Sequence, residues 1–199
     1  DLPLSRGLGD VYKRQHLDDL DLNSLLIQAE KDPDVKYFNH TGINDAGSTL
    51  DEKIILDAAK FLETGQKTEL NYNVKNTDRT IGSKLSSYIY NKFKDTQIND
   101  DQITLNLNGS AGQSLGAFAV RGLTIKVHGD ANDYVGKSLS GGKIVIRPDK
   151  NSKIKSNENT IMGNTCMYGA TSGSLYASGK AGERFAVRNS GATTVVEGC

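Results

Sequence analysis

The stretch IMGNTCMYGATSGSLYASG, residues 161–179, is followed without a break by KAGERFAVRNSGATTVVEG, residues 180–198. Written one under the other, the two stretches place Gly163 on Gly182 and keep apolar residues in shared positions. Self-similarity at a fixed period indicates a repeat architecture. We therefore interpret the two stretches as consecutive copies of one structural unit.

Two further copies precede these. Residues 130–148 match residues 161–179 after the insertion Asp149–Thr160, and residues 111–129 match residues 130–148 directly. Equivalent positions form columns, of which one apolar example is Val127, Ile146, Ala177 and Val196. Upstream of the copies a similar, constant spacing relates Leu105, Leu107 and Gly109 to Ile125, Val127 and Gly129.

Each copy contains strand and turn residues and no run long enough for a helix. Short apolar stretches such as Leu123–Val127 and Lys143–Ile146 are separated by Gly, Asn, Asp and Ser, which is typical of strands and turns. Glycines recur in fixed columns, which predicts corners at positive φ. A period of about 20 residues is too short for helical-pair repeats. The repeat therefore predicts an all-β parallel β-helix, a single-stranded solenoid with about 19–20 residues per repeat.

The residues before the repeats divide into two predicted segments. Residues 1–15 show no helical or strand period and resemble a translated adapter sequence, so we interpret them as a non-native leader. Residues 16–67 form a helical and loop entry segment. Alternation of apolar and polar residues starts at Leu70, so the solenoid domain is expected to cover residues 68–199.

Three helices are predicted outside the copies. A weakly amphipathic segment covers Leu17–Glu30. A stronger pattern covers Leu50–Thr64, where Thr49 and Glu52 have the spacing of a capping box. A short helix is predicted over Lys84–Phe93, at a corner of the first coil.

Composition limits the classes of partner. Lys plus Arg number 24 and Asp plus Glu number 24, so the net charge indicates neither nucleic acid nor a membrane as a partner. The sequence has no apolar run long enough to span a membrane and no signal-peptide core, which makes the cytoplasm the expected location. Two cysteines do not make a disulfide framework.

Two glycine-rich segments resemble nucleotide-binding motifs but do not match their required spacing. Gly136-Lys137-Ser138 looks like the end of a phosphate-binding loop, but Ala131 stands where that motif needs glycine, and no helix is expected to follow. The run Gly109–Gly116 has the wrong glycine spacing for a dinucleotide fingerprint. We interpret both as structural glycines.

The ionisable and thiol side chains show no ligand or catalytic spacing. Cys166 lies in a column with Phe185 and Val135, which predicts an inward side chain that acts as a small hydrophobe. The histidines His16, His40 and His128 lie in separate segments. Asp130 and Asp133 have no accompanying base, nucleophile or metal ligand and are explained by turn chemistry.

One charged cluster suggests an interface. Glu183, Arg184, Arg188 and Asn189 lie off the apolar columns, so both guanidinium groups should point outward. Arginine suits specific pairing across an interface. The cluster is either a solvated face or a docking site for a neighbouring domain.

Six longer sequence motifs occur in a fixed order along the chain. They are residues 76–82 (NTDRTIG), 109–118 (GSAGQSLGAF), 129–136 (GDANDYVG), 139–143 (LSGGK), 168–173 (YGATSG) and 181–192 (AGERFAVRNSGA). They resemble the C-terminal GXGXG domain of the large subunit of glutamate synthase, and the resemblance covers residues 17–198. In that family the domain is a right-handed parallel β-helix, so the resemblance implies the same fold here.

The resemblance also implies a function. The family enzyme transfers the amide nitrogen of glutamine to 2-oxoglutarate and reduces the product to glutamate. The chain is then a non-catalytic structural domain that packs the glutaminase domain and the FMN synthase domain together. The resemblance implies no catalytic, cofactor-binding or metal-binding residue in this chain. FMN and a 3Fe-4S cluster are expected in the rest of the parent enzyme.

Two alternatives stay open at this point. The chain is either a piece of a longer large subunit, cut short near Cys199, or a stand-alone GXGXG binding subunit of a multi-subunit glutamate synthase. A formylmethanofuran-dehydrogenase-like complex, whose C subunit shares the GXGXG solenoid, is a further candidate parent for a stand-alone subunit.

Overall fold

A computed structural model describes residue 23, residues 47–94 and residues 98–199. Residues 46–199 form one compact unit. The predicted leader lies outside the described residues, as does the predicted helix Leu17–Glu30 apart from residue 23, and the division of the chain at residue 67 stays a prediction.

The described residues contain helices and one parallel sheet. The helices are α1 (Leu50–Asp57), α2 (Ala59–Thr64) and α3 (Ser83–Phe93), with a 3-10 turn at Ser156–Glu158. The strands are β1 (Thr68–Val74), β2 (Ile103–Ala111), β3 (Leu123–Ala131), β4 (Ser140–Arg147), β5 (Thr160–Met162), β6 (Ser172–Ala177), β7 (Lys180–Ala181) and β8 (Thr193–Val195). The main strand order is β1-β2-β3-β4-β6-β8, and the short strands β5 and β7 pair away from this path.

The register of the sheet follows the sequence repeat. Val127 lies opposite Ile146, and Ile146 lies opposite Ala177, as the apolar column predicts. Leu107 lies opposite Val127, which confirms the spacing found upstream of the copies. Because the strands are parallel, equivalent side chains stack on one face, and these four are buried in one core.

The insertion between β4 and β5 leaves this register intact. Ile144 lies opposite Leu175, although 31 positions separate them, and the pairing continues on both sides of the insertion. Residues 149–155 are exposed. The extra residues are therefore accommodated at one edge of the stack without moving the strands.

The predicted all-β, right-handed parallel β-helix is wrong: the described residues form an α/β fold, an open sheet of eight mostly parallel strands with helices. Ile54 of α1, Phe61 of α2 and Leu85 of α3 are fully buried in the same core as the strands. The sequence repeat predicts only the spacing of the strands. The helices lie outside the repeating copies, so reasoning from the period left them out of the fold class.

The helices differ in detail from their predicted bounds. The segment predicted as one helix over residues 50–64 is broken at Ala58, and it ends at Gly65 with φ +71°. The capping box is wrong, because the Thr49 side chain makes no capping bond. The Glu52 carboxylate instead accepts from Lys84 Nζ at 2.8 Å. The short helix predicted over residues 84–93 is confirmed as α3. Within the described ranges, no helix is long and apolar enough to cross a membrane.

Close backbone approach explains one glycine column. Gly109 and Gly129 lie opposite each other with φ +120° and +148°. A Cβ on Gly129 would collide with the carbonyl of Gly109, and a Cβ on Gly109 would collide with the carbonyl of Val74. These positions therefore need glycine for space as well as for backbone conformation.

Corners of four copies share an alternating backbone conformation that glycine does not explain. Three alternate residues in each corner have φ between +53° and +65°: Ser114, Gly116, Phe118; Tyr134, Gly136, Ser138; Thr165, Met167, Gly169; and Arg184, Ala186, Arg188. Three of the twelve are glycine, so the prediction that glycine marks these corners is only partly right. Neighbouring corners bond to one another: Ser114 N donates to Asp133 O at 2.8 Å, and Gly136 N donates to Leu115 O at 2.9 Å. These bonds offset the strain of left-handed residues, about 1–2 kcal/mol each.

Candidate functional site

Cys166 is an internal packing residue. Its side chain is fully buried in the core, which confirms the predicted inward orientation. Burial raises the pKa of its thiol to about 12, so the reactive thiolate is suppressed. No group of three or more metal-ligating side chains occurs among the described residues.

The segment Gly136-Lys137-Ser138 forms a corner between copies. Gly136 N donates to Leu115 O at 2.9 Å, and Ser138 N donates to Tyr168 O at 2.8 Å. A phosphate-binding loop needs amides that point at the ligand. These two amides are engaged within the fold.

The structure places Asp130 and His128 in strand β3 and Asp133 beyond its end. Asp130 lies in strand β3 and not in a turn, whereas Asp133 lies in the following corner and accepts from Asn164 N at 2.7 Å. His128 Nε2 lies 2.8 Å from Arg147 Nη2. Desolvation, followed by the Arg147 charge, lowers the pKa of His128. His16 and His40 lie outside the described residues.

The Glu183–Asn189 segment forms the last of the four alternating corners. Arg184 and Arg188 have φ +60° and +58°. The Arg188 guanidinium lies over the Tyr168 ring, 6.0 Å from its centroid, which is within the range of a cation–π contact. Asn189 Nδ2 donates to Ala192 O at 2.9 Å and closes the turn. The role of this segment in docking stays a prediction.

A surface that the sequence analysis missed is centred on Phe118. This side chain is 56% exposed, although phenylalanine is normally a core residue, and its φ is +60°. The corresponding corner positions in later copies are Ser138, Gly169 and Arg188. The left-handed conformation is shared by all four corners, whereas at this position only the first of them carries a large aromatic side chain.

Phe118 separates two clefts. The first has a volume of about 430 Å³ and is lined by Gly47, Thr49, Asp51, Thr80, Ser83, Lys84, Ser114, Ala117, Phe118 and Lys137. The second has a volume of about 370 Å³ and is lined by Ser83, Ser86, Ser87, Tyr90, Phe118, Val120 and Ser140. We call these two clefts with their shared ridge the Phe118 surface. Small side chains form most of its lining, so the ring of Phe118 stands out between them.

Helix α3 is held against this surface by a buried carboxylate. Asp51 of α1 is 4% exposed and accepts from Gly82 N at 2.7 Å and Lys84 N at 2.8 Å, at the start of α3. Burial raises the pKa of Asp51, although these amide bonds act in the opposite direction. Ser83 Oγ donates to Ala117 O at 2.9 Å and ties α3 to the Phe118 corner.

Two lysines line the first cleft together with the buried Asp51. Lys84 is paired with Glu52 at 2.8 Å. Lys137 Nζ lies 5.8 Å from the centroid of the Tyr134 ring, and within the described part of the chain it makes no ion pair. An aromatic ridge with a polar rim and an available cation is suited to binding a polypeptide.

A repeat-based alignment hides Phe118. The ungapped alignment of the copies places Phe118 on Lys137. In the structure Val120 pairs with Ser140, one position further along than this alignment predicts, whereas Thr124 pairs with Lys143, as aligned. The change of spacing falls between corner and strand. An alignment with a gap there would have placed Phe118 in a column with Ser138, Gly169 and Arg188, where it is the one aromatic residue.

Comparison with known proteins gives a family and several relatives. The family model described as GXGXG motif matches residues 51–199. The glutamate synthase (NADPH) large chain of Azospirillum brasilense is 55% identical over 185 residues, which are 93% of this chain and 12% of that protein. The glutamate synthase (NADH) of Saccharomyces cerevisiae is 55% identical over 148 residues, which are 74% of this chain and 7% of that protein.

A third relative uses another electron donor according to its name. The ferredoxin-dependent glutamate synthase 2 of Synechocystis is 45% identical over 184 residues, which are 90% of this chain and 12% of that protein. The chain therefore spans about an eighth or less of the length of these relatives.

Proposed function

Because the chain belongs to the GXGXG family and is similar to glutamate synthases over most of its length, we propose that it is the GXGXG domain of a glutamate synthase. In this proposal it is a non-catalytic domain that packs the glutaminase and FMN synthase domains of the parent enzyme together. FMN and the 3Fe-4S cluster then belong to the rest of that enzyme, and the cytoplasm is its location.

The main support for the proposal is the sequence identity between this chain and relatives that are named for different electron donors. The three relatives are named for NADPH, NADH and ferredoxin, yet each is 45–55% identical to this chain. A segment common to all three is better explained by a role that all glutamate synthases need than by recognition of one donor. Holding the glutaminase and synthase domains in a fixed position relative to each other is such a role.

The size of the relatives supports a domain within a longer chain. In each of the three, the matched segment is 7–12% of the protein, which leaves most of the polypeptide to other parts. This favours the large-subunit proposal over a stand-alone subunit.

An exchange chimera tests the proposal. In the Azospirillum brasilense large chain, the 185 matched residues are replaced by the aligned residues of this chain, and glutamate formation from glutamine and 2-oxoglutarate is measured. We expect turnover within about tenfold of the unmodified enzyme, a change equivalent to about 1.4 kcal/mol. The same large chain without the segment is the control and should form no glutamate.

Two results would contradict the proposal. One is glutamate formation by the isolated 199-residue chain, which would require a catalytic site within it. The other is a chimera that purifies intact with its flavin but does not form glutamate, which would mean that this chain does not replace the family domain.

A further inference from the structure

We propose that the Phe118 surface is the docking site for another segment of the parent glutamate synthase chain, one that carries apolar side chains for the two clefts and a carboxylate for Lys137. The inference rests on the proposed function and adds the surface, the partner and the chemistry of the contact.

The exposure of Phe118 is the first observation behind the inference. The ring is 56% exposed between two clefts, and Tyr90, on the second cleft, is 61% exposed. Neighbouring apolar groups left open on a surface mark interaction sites. Core packing does not account for a phenylalanine at this corner position, where the later copies carry Ser138, Gly169 and Arg188.

The shape of the surface favours a polypeptide over a small ligand. The two clefts share Ser83 and Phe118, so they form one continuous surface on both sides of a ridge. Small-molecule sites are concave and bury most of the ligand. A ridge of this kind instead fits between side chains of a partner segment, as aromatic anchors do in protein interfaces.

The charge of the rim defines the partner further. Glu52 already neutralises Lys84, whereas Lys137 has no carboxylate within 4.0 Å in the described ranges. A carboxylate on the partner would pair with Lys137 beside the apolar contact. Burial beside the ring would strengthen that pair relative to one in water.

The length of the relatives identifies where the partner lies. The Azospirillum protein extends over roughly eight times the length of the segment that this chain matches, since that segment is 12% of it. A domain that packs others together meets them through its surface, and the remaining polypeptide is tethered at high effective concentration. We therefore assign the surface to a segment of the same large chain and not to a second copy of this domain.

Photo-crosslinking in the chimera tests the assignment. p-Benzoylphenylalanine replaces Phe118 in one sample and Tyr176, which is 42% exposed on strand β6, in the control. We expect position 118 to crosslink to peptides of the large chain outside the exchanged segment, and position 176 to do so at least about tenfold less. Crosslinks from position 118 to a second copy of the domain, or none outside the segment, would overturn the inference.

Two substitutions give an independent readout. Phe118→Ser introduces the residue found at the same corner position of the next copy, Ser138, so the isolated chain should keep its unfolding midpoint. In the chimera we expect the rate of limited proteolysis between domains to rise at least about tenfold. Lys137→Glu should act in the same direction, whereas Lys153→Glu, the same charge change in the exposed insertion, should have no effect.

The outcomes separate the two proposals. A chimera that forms glutamate but is unaffected by Phe118→Ser and Lys137→Glu overturns the docking inference and leaves the proposed function standing. A chimera without glutamate formation overturns the proposed function itself.

Discussion

The Asp51 carboxylate accepts a hydrogen bond of 2.8 Å from the backbone amide of Lys84, 33 positions later in the chain. A second bond of 2.7 Å comes from Gly82 N, so one buried side chain occupies the amino end of helix α3. The amides at the start of a helix have no partner within the helix. Asp51 supplies that partner from another helix and thereby joins α1 to α3.

Removing this carboxylate should destabilise the chain. In Asp51→Ala the amide of Gly82 loses its acceptor in a buried position, and we expect the free energy of unfolding to fall by about 2–3 kcal/mol. Urea unfolding of the full chain at pH 7 measures it. Glu52→Ala removes the exposed carboxylate next to it and should leave the midpoint nearly unchanged. Equal effects of the two substitutions would contradict the role given to Asp51.

The stability contribution of Asp51 should depend on pH. Its pKa in the folded chain is raised above the ordinary 3.8, chiefly because burial disfavours the charged carboxylate. Between 3.8 and the raised pKa the folded chain holds a proton that the unfolded chain has lost, so stability falls as pH rises through this window. The unfolding free-energy difference between the wild-type chain and Asp51→Asn should therefore shrink from pH 4 to pH 7. A difference that grows with pH would mean that the amide bonds outweigh desolvation.

The two cysteines should differ in reactivity. Burial raises the pKa of Cys166 to about 12, whereas Cys199 is exposed. Because the thiolate is the reactive form, a thiol reagent at pH 8 should label one cysteine per folded chain and both in urea. Mass spectrometry of the labelled peptides identifies the site. Rapid labelling of Cys166 in the folded chain would show that the corner between β5 and β6 opens readily.

The glycine column should not tolerate a methyl group. Gly129→Ala places a Cβ against the Gly109 carbonyl at a φ of +148°, and we expect a loss of at least about 2 kcal/mol in the free energy of unfolding. Gly47→Ala is the control for a positive-φ glycine without a collision, since Gly47 has φ +68° and nothing within 4 Å of the added Cβ. The difference between the two variants combines the collision with the different backbone strain at φ +148° and +68°. Similar losses would mean that space is not what selects glycine at residue 129.

Phe118 should contribute little to folding, in contrast to its neighbour Leu115. Phe118→Gly removes an exposed side chain and relieves positive φ, so the unfolding midpoint should not fall. Leu115→Ala empties a fully buried position and should lower the free energy of unfolding by about 2–5 kcal/mol. Circular dichroism during urea unfolding distinguishes them. A large loss in Phe118→Gly would place this ring among the core residues.

Sequence repeats predicted the sheet register because repeat and register have one physical cause. In parallel strands each residue faces its equivalent in the next copy, so Ile144 and Leu175 align in the sequence and pair in the structure. The helix at residues 84–93 was also predicted, and Leu85 and Ile89, which are four positions apart, are buried in the core.

Contacts between segments far apart in sequence were not predictable in this way. Thr49 and Glu52 have the spacing of a capping box, but Glu52 pairs with Lys84 and the cap of α3 comes from Asp51. Nothing in the local spacing distinguishes these partners. The fold class was wrong for the same reason, because the packing of the helices on the sheet depends on such long-range contacts.

The insertion between β4 and β5 has a consequence for protein engineering. Its ends join strands that keep their pairing, with Ile144 opposite Leu175, while its residues 149–155 stay in solvent. Closing a longer loop changes the entropy only slowly with length. Foreign sequence such as an epitope tag or a fluorophore-binding peptide can therefore be grafted at this point, which offers a way to report on the domain inside a larger enzyme while its strands and the Phe118 surface stay unaltered.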